Sequence, residues 1–285
     1  MNQKERIILF LLAGLNFTHI LDFMIMMPLG NYLMPYFHIS PWQFSLLVGA
    51  YSISAAVSGF TAAFIVDRFD RKKVLLVSYA GFIIGTLACG IAPTYGLLLG
   101  SRILAGLFGG IIGAQVLSII ADLFVYERRG TAMGAVMSAF AVASTLGVPF
   151  SLYLTNLFNF NWHVPFLLVG GIGIVLIPLI YKFIPGMSAH LKSVGNREST
   201  WRVLGKVFES PAQQQALLFS GLLMMGHFLI IPFLNPYLEF NKGFSKDLTP
   251  MVYLVGGISS FAAAILLGRF SDKKGKLPVF SISVF

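Results

Sequence analysis

Two charges in this 285-residue sequence fall where charges rarely sit: Asp22 is the only acid well inside a long apolar run, and Arg102 the only strong base so placed. Inside a hydrocarbon layer each is costly unless paired, which makes both functional candidates by default. Asn16, His19 and Asp22 recur every three residues, so on a helix they share roughly a third of the circumference, with Thr18 one turn before Asp22 on the same stripe. A rise of about 1.5 Å per residue puts Asp22 about 22–24 Å, and Arg102 roughly 21 Å, from the same face of a ~30 Å core. The two are nearly level. A carboxylate facing a guanidinium can cycle a proton that the base releases on demand, or it can be a static structural pair; the residues alone leave both readings open. His19 either shares that proton or is a hydrogen-bonded lining residue. Asn16, Tyr51, Ser54, Gln115, His227 and Asn235 are candidates to line a cavity, with plain helix–helix hydrogen bonding as the alternative.

The elements that must position these groups follow from composition. The chain is 56% hydrophobic and 11% charged, with a mean hydropathy of +0.81. Soluble domains carry about 25% charged residues, so a soluble fold is excluded, and disorder fails on the same numbers. Eight apolar runs are long enough to cross a bilayer: 7–27, 42–66, 74–92, 97–121, 131–158, 164–181, 216–238 and 248–267, with a ninth beginning at Leu277. Strand-like alternation is absent, so an all-α integral membrane bundle is expected. Lys4 and Arg6 before the first run resemble a signal peptide, but its length, Asp22 within it and the lack of a small-residue cleavage site argue for a retained helix.

Charge placement orients the bundle. Lys242 and Lys246 follow the seventh run and Arg102 lies inside the fourth; every other Lys and Arg lies before the first run or after an even-numbered one. The positive-inside rule then makes the N-terminus cytoplasmic. The net charge of +9 is thus spread over short juxtamembrane loops, which excludes a nucleic-acid surface. The single cysteine, Cys89, rules out an internal disulfide and a cysteine metal cluster, and no ligand-spaced set of His, Asp and Glu points to a metal or to a catalytic centre. The glycines at 106, 109, 110 and 113 sit inside a span without a P-loop lysine, so they form a close-packing surface. The polar connection after the sixth run divides the chain into a six-helix bundle (1–184), a cytoplasmic linker (185–215) with an amphipathic helix expected around 201–208, and a further bundle (216–285).

Internal similarity crosses that linker. The turn after the second run contains Asp67, Arg68, Asp70, Arg71, Lys72 and Lys73; the segment after the eighth contains Gly268, Arg269, Asp272, Lys273, Lys274 and Gly275. Six runs separate the copies, so both face the same side, as parallel repeats require. These residues resemble the major facilitator superfamily along essentially the whole chain. Asp67, Arg68, Arg71 and Lys72 match that family's G-x-L-A-D-R-x-G-R-K loop signature, with Ala63 and Asp70 standing where glycine is usual. Arg102, Gly106 and Gly110 are similar to its fourth-helix arginine–glycine region. Gly147 and Pro149 form a degraded relative of its antiporter glycine–proline motif.

The resemblance implies the major facilitator fold, here a complete six-helix half plus about two and a half helices of a second, so that the sequence reads as ending within helix nine. It implies a monomeric, multi-pass transporter in the cell (plasma or inner) membrane, with a small-molecule substrate and no cofactor beyond a coupling proton. Drug:proton antiporters of the family commonly carry an acid on helix one and an arginine on helix four, which favours proton-coupled efflux by alternating access, with Asp22, Arg102 and His19 handling the proton. A proton-coupled sugar or nucleoside importer is the alternative, and a polytopic membrane enzyme is a weaker one. The resemblance further implies a cytoplasmic gate in which Asp67 pairs with Arg128 or Arg129, with Asp272 as its counterpart in the second copy.

Overall fold

A computed structural model of the chain describes residues 3–188, 205, 207–274 and 281, and every described element is helical. The helices are α1 Gln3–Ile25, α2 Gly30–Phe37, α3 Pro41–Ile65, α4 Arg71–Gly90, α5 Tyr95–Leu123, α6 Tyr126–Val142, α7 Val148–Leu157, α8 Val164–Phe183, α9 Pro211–Lys242 and α10 Thr249–Lys274. Seven helical segments among the described residues are long and apolar enough to cross a membrane: α1, α3, α4, α5, the path 128–157, α8 and α9. α10 occupies the eighth expected run. All of the expected ninth helix but Ser281, and most of the amphipathic segment at 201–208, lie outside the described residues.

Local chemistry sets the starts. Ser40 and Gln43 form a reciprocal capping box ahead of Pro41, with Gln43 N–H to Ser40 Oγ at 3.3 Å and Ser40 N–H to Gln43 Oε1 at 2.9 Å. Asp70 Oδ1 caps α4 by accepting from Lys73 N–H at 3.1 Å, and Thr94 caps α5 through Leu97 N–H at 3.3 Å.

The first span stops at Ile25 near the end of its expected run, and after a turn through 26–29 around Pro28 a short further helix, α2, follows it. One span differs from the expected single rod. The fifth is broken by a π turn, Ala143–Gly147, in which Val148 N–H reaches back to Ala143 O. Pro149 has no N–H to continue the ordinary ladder, so the register slips there.

α5 is the centre of the bundle, packed against α3 and α4, while α1 packs on α6 and α8. A Cβ on Gly106 would lie 2.1 Å from Ser54 Oγ, and one on Gly110 2.1 Å from Ala55 O, so the glycines let α5 meet the α3 backbone directly. Two apolar clusters fill the interior, one around Leu12, Leu15, Phe82 and Ile112, the other around Leu21, Ile25, Phe44 and Phe166. Outward-facing Ile53, Ile84 and Val175 are each more than 60% exposed, as helices facing lipid require.

Candidate functional site

The structure brings Asp22 and Arg102 together at full burial. Arg102 Nη1 donates to Asp22 Oδ2 at 2.8 Å and to the Asp22 backbone carbonyl at 3.4 Å, with neither side chain accessible. The Arg102 guanidinium also lies 4.5 Å from the centroid of the Tyr51 ring, which presents its electron-rich face to the cation. Pairing and this contact offset the desolvation of two charges. Thr86 and Cys89 on α4 adjoin the pair, the Thr86 hydroxyl beside the Asp22 carboxylate and the Cys89 thiol beside Arg102. His19, one turn before Asp22, stands 5.6 Å from Phe82 and 6.2 Å from Tyr51, centroid to centroid.

This chamber is not fully hydrogen-bonded. Asp22 Oδ1, Arg102 Nε and Nη2, both ring nitrogens of His19, the Tyr51 hydroxyl and Thr86 Oγ1 are all buried without a protein partner. Native interiors rarely leave so many polar atoms unmet in one place.

The other cavity candidates spread out. Asn16 donates to the Val136 carbonyl of α6 at 3.1 Å and Asn235 to the Pro28 carbonyl at 3.1 Å, both helix–helix hydrogen bonds. Ser54 bonds back to Ala50 and Tyr51 of its own helix. Gln115 is buried on α5 with an unpartnered Oε1. The side chain of His227 lies outside the described residues.

At the end of the bundle that carries the basic turn, Arg71 is the hub. It is largely buried and bonds Asp122 Oδ2 at 2.6 Å and Asp67 Oδ1 at 3.4 Å. Arg128 pairs with Glu5 at 3.6 Å, and Arg129 donates to the Phe124 carbonyl at 3.0 Å. The arginine placed at Asp67 is the turn's own, four residues along. Arg68 is exposed, Lys72 lies 4.9 Å from the centroid of the Tyr181 ring, and the side chain of Asp272 is outside the described residues. Asp70, where the signature has glycine, does double duty: besides capping α4, its Oδ2 accepts from Met187 N–H at 2.6 Å. Gly147 and Pro149 sit at the π turn, where Gly147 faces Phe17 and Leu21 of α1 and Gly257 of α10 abuts Thr145.

The opposite end holds a polar seam that the sequence did not single out. Glu239 accepts a hydrogen bond from the fully buried Asn31 and pairs with Lys246 at 3.3 Å. Tyr32 donates to Asn156 Oδ1 at 2.7 Å, and Asn156 reaches the Lys246 carbonyl at 3.4 Å. Burial and the neighbouring carboxylates of Glu239 and Asp247 push the Tyr32 phenol above its usual range, so it serves as a neutral donor. Glu239 lies three residues from Lys242 near the end of a span, which reads in sequence as ordinary interfacial charge. Among the described residues no group of three or more His, Cys, Asp or Glu side chains converges as metal ligands would.

A polytopic helical bundle with a fully buried aspartate–arginine pair between its first and fourth spans is a membrane protein organised around intramembrane charge. The sequence profile of the Major Facilitator Superfamily matches residues 12–285, and the chain belongs to that family. It is 27% identical over 254 residues to the uncharacterized MFS-type transporter YceJ of Bacillus subtilis (strain 168), covering 89% of this chain and 64% of that protein. It is 22% identical over 231 residues to a probable sugar efflux transporter of Helicobacter pylori (strain P12), covering 81% of this chain and 57% of that one. Among solved structures it resembles a bacterial homolog of the human lysosomal transporter Spinster in an inward-facing, unoccupied conformation, with a TM-score of 0.77 at 18% identity over 96% of this chain and 64% of that one. The chain therefore spans less than two thirds of the length of these relatives.

Proposed function

We propose that this chain forms part of a secondary active transporter that exports small organic molecules in exchange for protons by alternating access, with Asp22 as the proton-exchanging carboxylate and Arg102 as the group that stabilises and releases it. The observation that carries the reading is the Asp22–Arg102 pair: both side chains are wholly inaccessible, yet Asp22 Oδ1 and two guanidinium nitrogens have no protein partner. A purely structural pair is stable only when its remaining hydrogen-bonding positions are met; one left under-satisfied is poised to change its charge state. The name of the Helicobacter pylori relative supports export, and sugars are one substrate class to try. The distribution of Lys and Arg supports a multi-pass protein of the cell membrane with a cytoplasmic N-terminus and a cytoplasmic linker between bundles 1–184 and 216–285.

The test is Asp22→Asn in the intact protein, reconstituted in liposomes and offered a panel of sugars and lipophilic cations. Asparagine keeps the volume and a polar group but cannot cycle a charge. Transport driven by a pH gradient should disappear while counterflow persists. A static pair predicts the reverse pattern: Asp22→Asn misfolds because Arg102 loses its counter-ion, and Asp22→Asn/Arg102→Gln recovers both folding and coupled transport. Full pH-driven transport by well-folded Asp22→Asn would end the proposal.

A further inference from the structure

We infer that His19 and Tyr51 form the proton's route from Asp22, a path bridged by internal water that leaves the pair along α1 toward the end carrying Asp67. This rests on the reading of Asp22 as the exchanging carboxylate. Three independent observations lead to it.

The first is the set of unpartnered atoms. Both His19 nitrogens, the Tyr51 hydroxyl, Asp22 Oδ1 and Thr86 Oγ1 are buried without a protein partner. Buried polar groups left unmet by protein are met by internal water, which occupies sites offering two to four polar partners. Such waters join the groups into one hydrogen-bonded file.

The second is the space over Gly109. A methyl group there would lie 2.5 Å from the Tyr51 hydroxyl and 3.0 Å from His19 Nε2, so the two atoms converge on the same glycine face of α5. Any side chain at 109 would fill the point where they approach each other. Gly109 thus provides room for two polar ends that neighbouring residues do not bond.

The third is the direction of the file. Tyr51 is anchored at the pair by its ring under Arg102, while His19 sits one turn along α1 from Asp22 on the way to Gln3. The titratable groups around the Asp22–Arg102 pair are His19 on α1, Tyr51 on α3 and Cys89 on α4. Arg102 itself holds its proton, and Tyr51 and His19 are the two whose polar ends converge over Gly109 of α5. Each hop balances: neutral imidazole accepts a proton at one ring nitrogen and yields one from the other, and the phenol hydroxyl passes its proton on as it receives another. Neither residue keeps a charge, and the proton that Asp22 gives up leaves along the file, after which the carboxylate pairs again with Arg102.

The decisive measurement is the rate at which the Asp22 carboxyl exchanges its proton, followed by time-resolved infrared spectroscopy after a pH jump on the intact protein in liposomes, with the band assigned by its loss in Asp22→Asn. Tyr51→Phe keeps the ring beside Arg102 and removes only the hydroxyl; His19→Gln keeps polarity but cannot relay. Both should slow exchange at least about tenfold while the band's equilibrium midpoint stays in place. Unchanged rates in both variants would overturn the route while leaving Asp22 as the exchanging group. A shifted midpoint at an unchanged rate would overturn it too, since it marks an electrostatic role. A parent protein whose carboxyl band never titrates would remove the reading of Asp22 and the route together. Variants are first matched to the parent in thermal unfolding, and Tyr51→Phe decides alone if His19→Gln does not match.

Discussion

Single residues in this chain act where sequence patterns are weakest. Asp70 interrupts a signature that favours glycine, yet it caps α4 through Lys73 and holds the Met187 amide, tying the start of the segment after α8 to the turn before α4. Removing it by Asp70→Ala should cost about 1–2 kcal/mol, the usual cost of losing a cap plus a side-chain-to-backbone bond. Thermal unfolding in detergent checks the size, and faster amide exchange at Met187 checks the mechanism; a stable variant with an unchanged Met187 amide would leave Asp70 as a bystander. Asp22 and Arg102 were legible from sequence because a charge in an apolar run is conspicuous and helix rise converts position into depth. Thr86 and Cys89 were not, because small neutral residues inside a span carry no such mark. The partners of Arg128 and Arg129 were hidden for a different reason. Asp67 has an arginine four residues on in the same connection, where the turn between α3 and α4 folds Arg71 back to it at 3.4 Å.

At the scale of elements, hydrophobic run length located the spans, and the differences concentrate at proline. Pro28 and Pro149 remove ladder donors, so the first span ends in a turn ahead of the short α2 and the fifth passes through a π turn; periodicity cannot announce a register slip of one residue. The glycines of α5 were legible as a packing surface, and the structure shows what they pack on: the α3 backbone at Tyr51 and Ala55. Gly110→Ala places a methyl 2.1 Å from the Ala55 carbonyl, where no flexible side chain can yield. Two helix backbones must separate, at a cost of about 1–3 kcal/mol for overpacking. The expected result is a lower unfolding temperature for Gly110→Ala, while Gly113→Ala, with open space around its Cβ, stays at the parent value. Equal stability of the two variants would show that α3 and α5 do not meet through this stripe.

For the whole molecule, the two ends of the bundle are chemically different. One is basic and built on Arg71 and its two aspartates; the other is the mixed seam of Asn31, Tyr32, Asn156, Glu239 and Lys246. If the N-terminus is cytoplasmic, single cysteines in the loops after Phe37 and after Asn159, on a Cys89→Ala background, should react with impermeant thiol reagents from outside. Labelling only from the cytoplasm would invert the topology. The seam itself joins α2 and α7 to α9 and the turn before α10, with Asn235 adding a bond to the Pro28 carbonyl. Glu239 is its most connected member, and its side chain is only 12% exposed, so its bonds are little screened by water. Glu239→Ala removes the acceptor of Asn31 and the counter-ion of Lys246 together, leaving a buried amide unmet at a cost of about 1–3 kcal/mol. Leu33, fully buried two residues from Asn31 in α2, reports the consequence. A cysteine placed at position 33 should be nearly unreactive in the parent and several-fold more reactive from the Glu239 side in Glu239→Ala, whereas Glu239→Gln, which can still accept from Asn31, should fall between. Equal reactivity in all three would show that apolar packing around Phe44 and Phe233, and not the polar seam, keeps water out of that end.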